Sequence, residues 1–393
     1  MNILQVVPNR VHPPNTGGDH RKHGLMTAFV SSKDDVTRYC QGGDPRNYFS
    51  GKFLSSIEIE GSYRELRVNH PLHDLASLPV LFDFPYVLLG PALELTPTKT
   101  LHQLVDDADI VFVEGPWQVS AVDSILDDGL LVYSSHNYEP ERFSALSSGS
   151  PLHQLFYRWV KKSERKAVDH ADLVVCTSER DKDIYSREFS EAEILIAPNG
   201  TYANNSPTDS ATNRQSIRNQ HDIGEDTSLV LFVGSKHTPN IEALKFLHDI
   251  AAEVNDESIQ FLAVGTACEE VDKETHNVEQ VGFVKEIEPY FQAADFAVHP
   301  MKSGGGTNVK LFDYFNWELP VISTPFGVRG LDVSDGEEII ISELSEFQSS
   351  IQRLHQDDEL KKSIGESAQE IVKNKYDWSQ ISAELRQTIL DWV

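Results

Sequence analysis

Short apolar runs without a polar break recur along this chain, each followed by a longer stretch with helical spacing. Ile110 to Val113 (IVFV), Leu130 to Ser134 (LLVYS) and Leu229 to Val233 (LVLFV) are examples. A strand is apolar throughout only where both faces of its sheet are covered, as in a parallel sheet layered by helices. Strands alternating with helices therefore predict an α/β protein.

The alternation occurs twice. In the first half Asn2 to Val7, Val36 to Tyr39, Leu66 to Val68, Ile110 to Val113, Leu130 to Ser134, Leu173 to Cys176 and Ile194 to Ala197 read as strands. Helices are expected over His20 to Val30, Leu101 to Asp107 and Leu152 to Asp169, with more in the proline-punctuated Leu78 to Leu95. In the second half Leu229 to Val233, Gln260 to Val264 and Glu279 to Val281 each run into a glycine. Phe296 to Val298, Pro320 to Ser323 and Glu338 to Ile341 complete that set. Helices are expected over Asn240 to Val254, Glu288 to Ala293, Leu344 to Gln356, Leu360 to Lys373 and Trp378 to Trp392. Residues 201–228 are almost free of apolar side chains and read as a linker. A length of 393 residues suits two domains, bounded here as 1–200 and 228–375 with 201–227 between.

Ligands of such sheets bind where the strands end. The richest strand end is SGGGTNVKLFDYFNW, Ser303 to Trp317. Three glycines follow an apolar strand, and Thr307 is placed to cap a helix whose Val309, Phe312 and Phe315 recur at helical spacing. Close backbone approach, free amides and a helix dipole make a cradle for phosphate. Lys310 in the first turn would reach the same phosphates. Asp313, on the same face one turn deeper, would accept from sugar hydroxyls. A flexible turn before an ordinary packing helix would give the same letters. Gly17 and Gly18 form a second, weaker strand–glycine–helix signal. His136 lies just past a strand end, where a single histidine is either a ligand contact or part of the core.

The net charge of −27, from 61 acidic and 34 basic residues, argues against nucleic acid as a partner. It resembles the excess of proteins from high-salt cytoplasms, with an ordinary acidic cytosolic enzyme as the other reading; the first predicts dependence on salt. Against that background Leu152 to Asp169 stands out. It carries Arg158, Lys161, Lys162, Arg165 and Lys166 beside Leu155, Phe156, Trp159 and Val160. Its readings are contact with anionic lipid head groups or an anionic acceptor, or a solvated helix face. Cys40, Cys176 and Cys268 have no metal-ligand spacing and suit a reduced compartment. Asn2 to Val7 is too short for a signal h-region, and prolines and acids break the best membrane-span candidate. A cytoplasmic location follows, at the inner membrane face if the basic helix docks there.

With these motifs in order, the chain resembles glycosyltransferases of family 4, in the branch marked by a GGGT loop. The motifs are VEGPW (Val113 to Trp117), SSHNYE (Ser134 to Glu139), ADLVVCTSE (Ala171 to Glu179), APNG (Ala197 to Gly200), FVGS…PN (Phe232 to Asn240), GFV (Gly282 to Val284) and GGGTNVKLFDYF…LPVIST (Gly304 to Thr324). Each is weak alone; their order and spacing are specific. The resemblance implies GT-B architecture, two Rossmann-like doubly wound parallel-sheet domains facing across a cleft, with residues 376–393 packing back on the first. It implies retaining transfer of a sugar from a nucleotide-diphosphate-sugar, of UDP or GDP type, to a glycan, lipid-linked or other hydroxyl acceptor held by the first domain. No bound cofactor or metal is expected. Gly305, Gly306, Thr307 and Asn308 would hold the diphosphate and Gly18 would approach it. Lys310 would supply charge, Asp313 would bind sugar hydroxyls, and the surroundings of Val284 would face the base. His136 matches the family's active-site histidine. The chain departs from the pattern at Ser235, where the family carries Arg, and at Gly305, where it carries the first of two glutamates. Lys236 is the nearest substitute for the missing charge. A nucleotide-sugar epimerase of the same fold and an inactive nucleotide-sugar-binding subunit are the competing readings.

Overall fold

The computed structural model describes residues 1–42, 48, 51, 53–145, 150–203 and 210–392. The chain divides into two compact units, Met1–Asn199 with Trp378–Val393, and Gly200–Asp377.

The first unit is built on eight strands: β1 (Asn2–Val7), β2 (Asp35–Gln41), β3 (Leu54–Glu60), β4 (Tyr63–Val68), β5 (Ile110–Glu114), β6 (Leu130–Ser134), β7 (Leu173–Cys176) and β8 (Ile194–Ile196). Their order is β3-β4-β2-β1-β5-β6-β7-β8. All neighbours are parallel except β3 and β4. The unbroken apolar runs sit in the middle because both faces there are covered. Ile110 and Phe112 of β5 enter one core layer and Val111 and Val113 the other. The edge strand β3 escapes the sequence reading because its LSSIEIE alternates and no residue of it is fully buried.

The second unit holds β9 (Ser228–Val233), β10 (Ile259–Val264), β11 (Val278–Gly282), β12 (Phe296–His299), β13 (Val321–Ser323) and β14 (Ile340–Ile341). They form one parallel sheet in the order β11-β10-β9-β12-β13-β14, again between two core layers. Parallel pairing puts every strand's carboxyl end on one edge.

Three expectations change. The helix predicted over His20 to Val30 is two short ones, Gly17–Gly24 and Thr27–Ser31. The first starts early because Thr16 and Asp19 form a reciprocal capping box, so Gly17 and Gly18 lie inside its first turn. Part of the expected linker is a packed helix, Ser210–Gln220, whose Ile217 is buried. Arg214 and Arg218 of that helix both bond Asp295, at 2.6 and 3.3 Å. Residues 204–209 of the linker expectation lie outside the described residues.

The chain enters the second unit after Asn199 and leaves it at Asp377. There Thr201 N donates to Tyr376 O at 2.8 Å. The last helix, Trp378–Leu390, belongs to the first unit. Its Trp378 lies so close to Gly24 that a Cβ there would stand 2.1 Å from the indole. Ser382 Oγ donates to Leu25 O, and Arg386 Nε donates to Asp34 Oδ2 at 2.9 Å. Among the described residues no helix is long and apolar enough to cross a membrane.

Candidate functional site

In the second unit the strand ends are closely fitted. Gly265 takes φ +112° at the end of β10, and a Cβ on it would lie 2.3 Å from Gly234 O. Only glycine lets these two ends meet. The loop after β12 carries Gly304 and Gly306 at φ +135° and +64°. The expected Thr307 cap does not form. The helix is shorter, Lys310–Asn316, with Val309 at its cap position, and Thr307 O accepts from Val309 N at 3.0 Å. Phe312 and Phe315 are buried as their spacing predicts, and they hold this short helix against the sheet. Among the described residues the amides of Gly305, Gly306 and Thr307 donate to no protein group.

Lys310 turns inward rather than toward the open loop. Its Nζ donates to Val233 O at 3.1 Å and to Asn240 Oδ1 at 2.8 Å. Asn240 in turn donates to Ser235 O and Ser235 Oγ, both at 3.0 Å. Lys310, Asn240 and Ser235 therefore form one bonded row at the end of β9. This places an ammonium one bonded side chain away from Ser235, the position where the resemblance implies Arg. Burial pulls Lys310 down to about 8, partly countered by the Asp313 carboxylate. Asp313 keeps an exposed edge, yet the loss of surrounding water raises its carboxyl to about 6 against the pull of Lys310. Lys236 does not join the row. It is exposed and paired with Glu270 and, at 3.9 Å, with Glu269. Asn308 spends its Nδ2 on Gly327 O at 2.8 Å, so it ties the loop to the next one. Val284 packs partly against the core beside Phe283, which is 70% exposed.

In the first unit His136 lies just past β6. Its Nε2 lies 2.7 Å from Glu114 Oε2 at the end of β5. Glu114 is buried, and its other oxygen accepts from Gln5 Nε2 at 2.6 Å. Burial works to raise this carboxyl, but the hydrogen bond and charge of His136, then Arg21 and the Gln5 bond, bring it down to about 2. Burial pulls His136 itself below the ordinary histidine value, with Glu114 opposing. An ionised carboxylate only accepts, so Nε2 carries the hydrogen and neutral His136 presents Nδ1 as an acceptor. Gly18 lies on that side, where a Cβ would stand 3.4 Å from Nδ1.

Behind Glu114 runs a buried polar chain that the apolar runs concealed. Gln5 Oε1 accepts from Arg38 Nε at 2.8 Å, and Arg38 Nη1 pairs with Glu65 at 3.2 Å. Arg21, also buried, donates Nη1 to Ala197 O at 2.7 Å, which accounts for the APNG motif. The signal for Glu114 was one charged letter closing a buried strand. Gly17, Gly18 and His136 thus belong to one unit; Ser235, Lys310, Asp313 and the glycine loop belong to the other.

Residues 227–357, most of the second unit, match the family model described as Glycosyl transferases group 1. No curated protein sequence matches the chain. Solved structures similar over the whole chain include sucrose-phosphate synthase from Thermosynechococcus elongatus, with TM-score 0.68, 16% identity, and 99% of this chain and 98% of that one covered. Anabaena Alr3699/HepE in complex with UDP and glucose gives TM-score 0.68 at 15% identity, covering 99% of each chain. WaaG, a glycosyltransferase involved in lipopolysaccharide biosynthesis, gives 0.64 at 15%, covering 98% of each. The chain therefore has the two-sheet GT-B architecture, and within its second unit it matches the group 1 glycosyl transferases.

Proposed function

We propose that this protein is a retaining glycosyltransferase that moves a sugar, a hexose in the simplest case, from a nucleotide-diphosphate-sugar to a hydroxyl of a glycan or lipid-linked acceptor. The observation that carries this reading is the loop after β12. It offers three unspent amides at a parallel sheet's carboxyl edge, inside the region that matches the family. Such amides suit a diphosphate. The Lys310–Asn240–Ser235 row lies behind the leaving group, and Asp313 accepts from the ribose. The base lies by Val284, where Phe283 offers a ring. Structures of Anabaena HepE hold UDP and UDP-glucose, which favours a uridine donor here.

On the first unit, His136 Nδ1 accepts from a sugar hydroxyl next to the reacting bond. Glu114 holds the ring in that tautomer. The new glycosidic bond forms on the face from which the diphosphate departs. A leaving phosphate oxygen takes the acceptor's proton, and donor amides stabilise the charge that develops there. The test is incubation of the protein with donor sugars and a panel of hydroxyl acceptors, following nucleotide release and product together. His136→Ala should lose at least about a hundredfold in turnover, in the range of a lost preorganised contact, with nucleotide binding intact. Undiminished turnover in that variant would remove His136 from the mechanism.

The acceptor side of the first unit also carries a surface suited to anionic lipid. Helix Pro151–His170 exposes Leu152, Leu155 and Trp159 beside Arg158 and Lys162. The turn Leu78–Phe82 exposes Leu81 and Phe82 at 76% and 74%. Phe84, just beyond it, packs on His153 and Phe156 of that helix, so the two apolar segments are neighbours. We read them as one peripheral docking face for a lipid-linked acceptor.

A further inference from the structure

The glycine loop is held from behind by a residue of the following loop, Arg329. Its Nη2 donates to Gly306 O at 2.8 Å and to Gly304 O at 3.2 Å, and its Nε reaches Gly306 O at 3.3 Å. In a planar trans peptide the carbonyl and the next N–H point in opposite directions. With the Gly304 and Gly306 carbonyls turned onto the guanidinium, the N–H groups of Gly305 and Thr307 point away from it. Those are two of the amides with no protein acceptor among the described residues. Without such a clamp, loop carbonyls could swing to the open side and repel an anion there. Arg329 is itself fixed: its guanidinium lies 4.0 Å from the centre of the Phe326 ring. The loops are stitched again by Asn308 on Gly327 O, and by Gly330, where a Cβ would stand 2.8 Å from Thr307 Oγ1.

From this geometry we infer that Arg329 is a positioning residue for diphosphate binding, setting the outward aim of the Gly305 and Thr307 amides. The inference rests on the donor reading of that loop. It also adds a second cation, at the glycine loop itself, to the Lys310 ammonium at the end of β9; Lys236 is paired elsewhere. The planar fork matters as well as the charge, because one guanidinium bonds two carbonyls at once.

The test is calorimetric titration of the full chain with UDP and GDP, and with uridine and guanosine, using wild type, Arg329→Ala and Arg329→Lys. One diphosphate should bind wild type. Arg329→Ala should weaken it about tenfold or more, the scale of a charge-assisted contact, while the matching nucleoside stays within about twofold. Arg329→Lys, which keeps the charge but not the fork, should fall closer to Arg329→Ala than to wild type. Wild-type diphosphate affinity in Arg329→Ala would overturn the inference, as would full recovery in Arg329→Lys. An equal loss of nucleoside affinity would also overturn it, by showing general damage to the unit. If wild type binds neither diphosphate, the donor reading falls and this inference falls with it.

Discussion

Glu114 has almost no exposed surface, yet it stays ionised because Gln5 and His136 donate to it and Arg21 stands nearby. Its depressed pKa, about 2, means that its contribution to stability is complete above the unfolded carboxyl value. That contribution is lost as pH falls from there toward 2. Glu114→Gln should therefore flatten the acid side of the stability profile. It should also lower stability at pH 7 by about 1–3 kcal/mol, because the buried Gln5 and His136 donors would lose a charged acceptor. Urea unfolding between pH 3 and 8 measures both effects, and an unchanged acid slope would contradict the assignment. The position of His136, just past a strand end, was legible in the sequence. Glu114 was less so: a single acid closing IVFVE reads as the start of a loop, and only burial reveals that it is held. Lys310 was legible by position and misread in direction. Spacing gives the face of a helix, but the path of a long side chain depends on what stands behind it, here Val233 O and Asn240.

At the scale of elements, the central strands were readable because burial on both faces leaves no polar letter. The edge strand β3 and the helix Ser210–Gln220 were not, since each is largely polar. The absent Thr307 cap has a similar origin: Gly330 and Arg329, distant in sequence, shape the loop that a local cap would otherwise have shortened. Helix Pro151–His170 is firmly seated by Phe156, Val160 and the buried Glu164, which accepts from Tyr133 and Tyr185 at 2.7 and 2.6 Å. Its outer face is thereby held in place. Each basic residue near an anionic bilayer adds about 1 kcal/mol, and the exposed Leu81 and Phe82 add apolar insertion. The protein should co-sediment with vesicles rich in anionic lipid and not with neutral ones. Leu81→Asp with Phe82→Asp should reduce that binding several-fold. Equal sedimentation of the double variant would remove this face from the account.

For the whole molecule, the two-domain plan was legible because the apolar alternation stops and restarts. The return of Trp378–Leu390 to the first unit rests on contacts such as Trp378 on Gly24, which no local pattern encodes. The net charge of −27 acts at this scale as self-repulsion, which salt screens. Thermal stability should rise by several degrees between low salt and about 1 M KCl, where the screening length is about 3 Å. Full stability in low salt would contradict that reading of the acidic excess. The central claim, that the second unit binds a nucleotide-diphosphate-sugar at the glycine loop, is tested most directly by thermal shift with UDP-, GDP-, ADP- and dTDP-sugars, comparing wild type with Asp313→Ala. Saturating ligand adds about 2.7 kcal/mol at a hundred times Kd. One donor class should therefore raise the wild-type Tm by a few degrees and leave Asp313→Ala unmoved. No shift from any donor with the folded protein, or an equal shift in Asp313→Ala, would contradict the account.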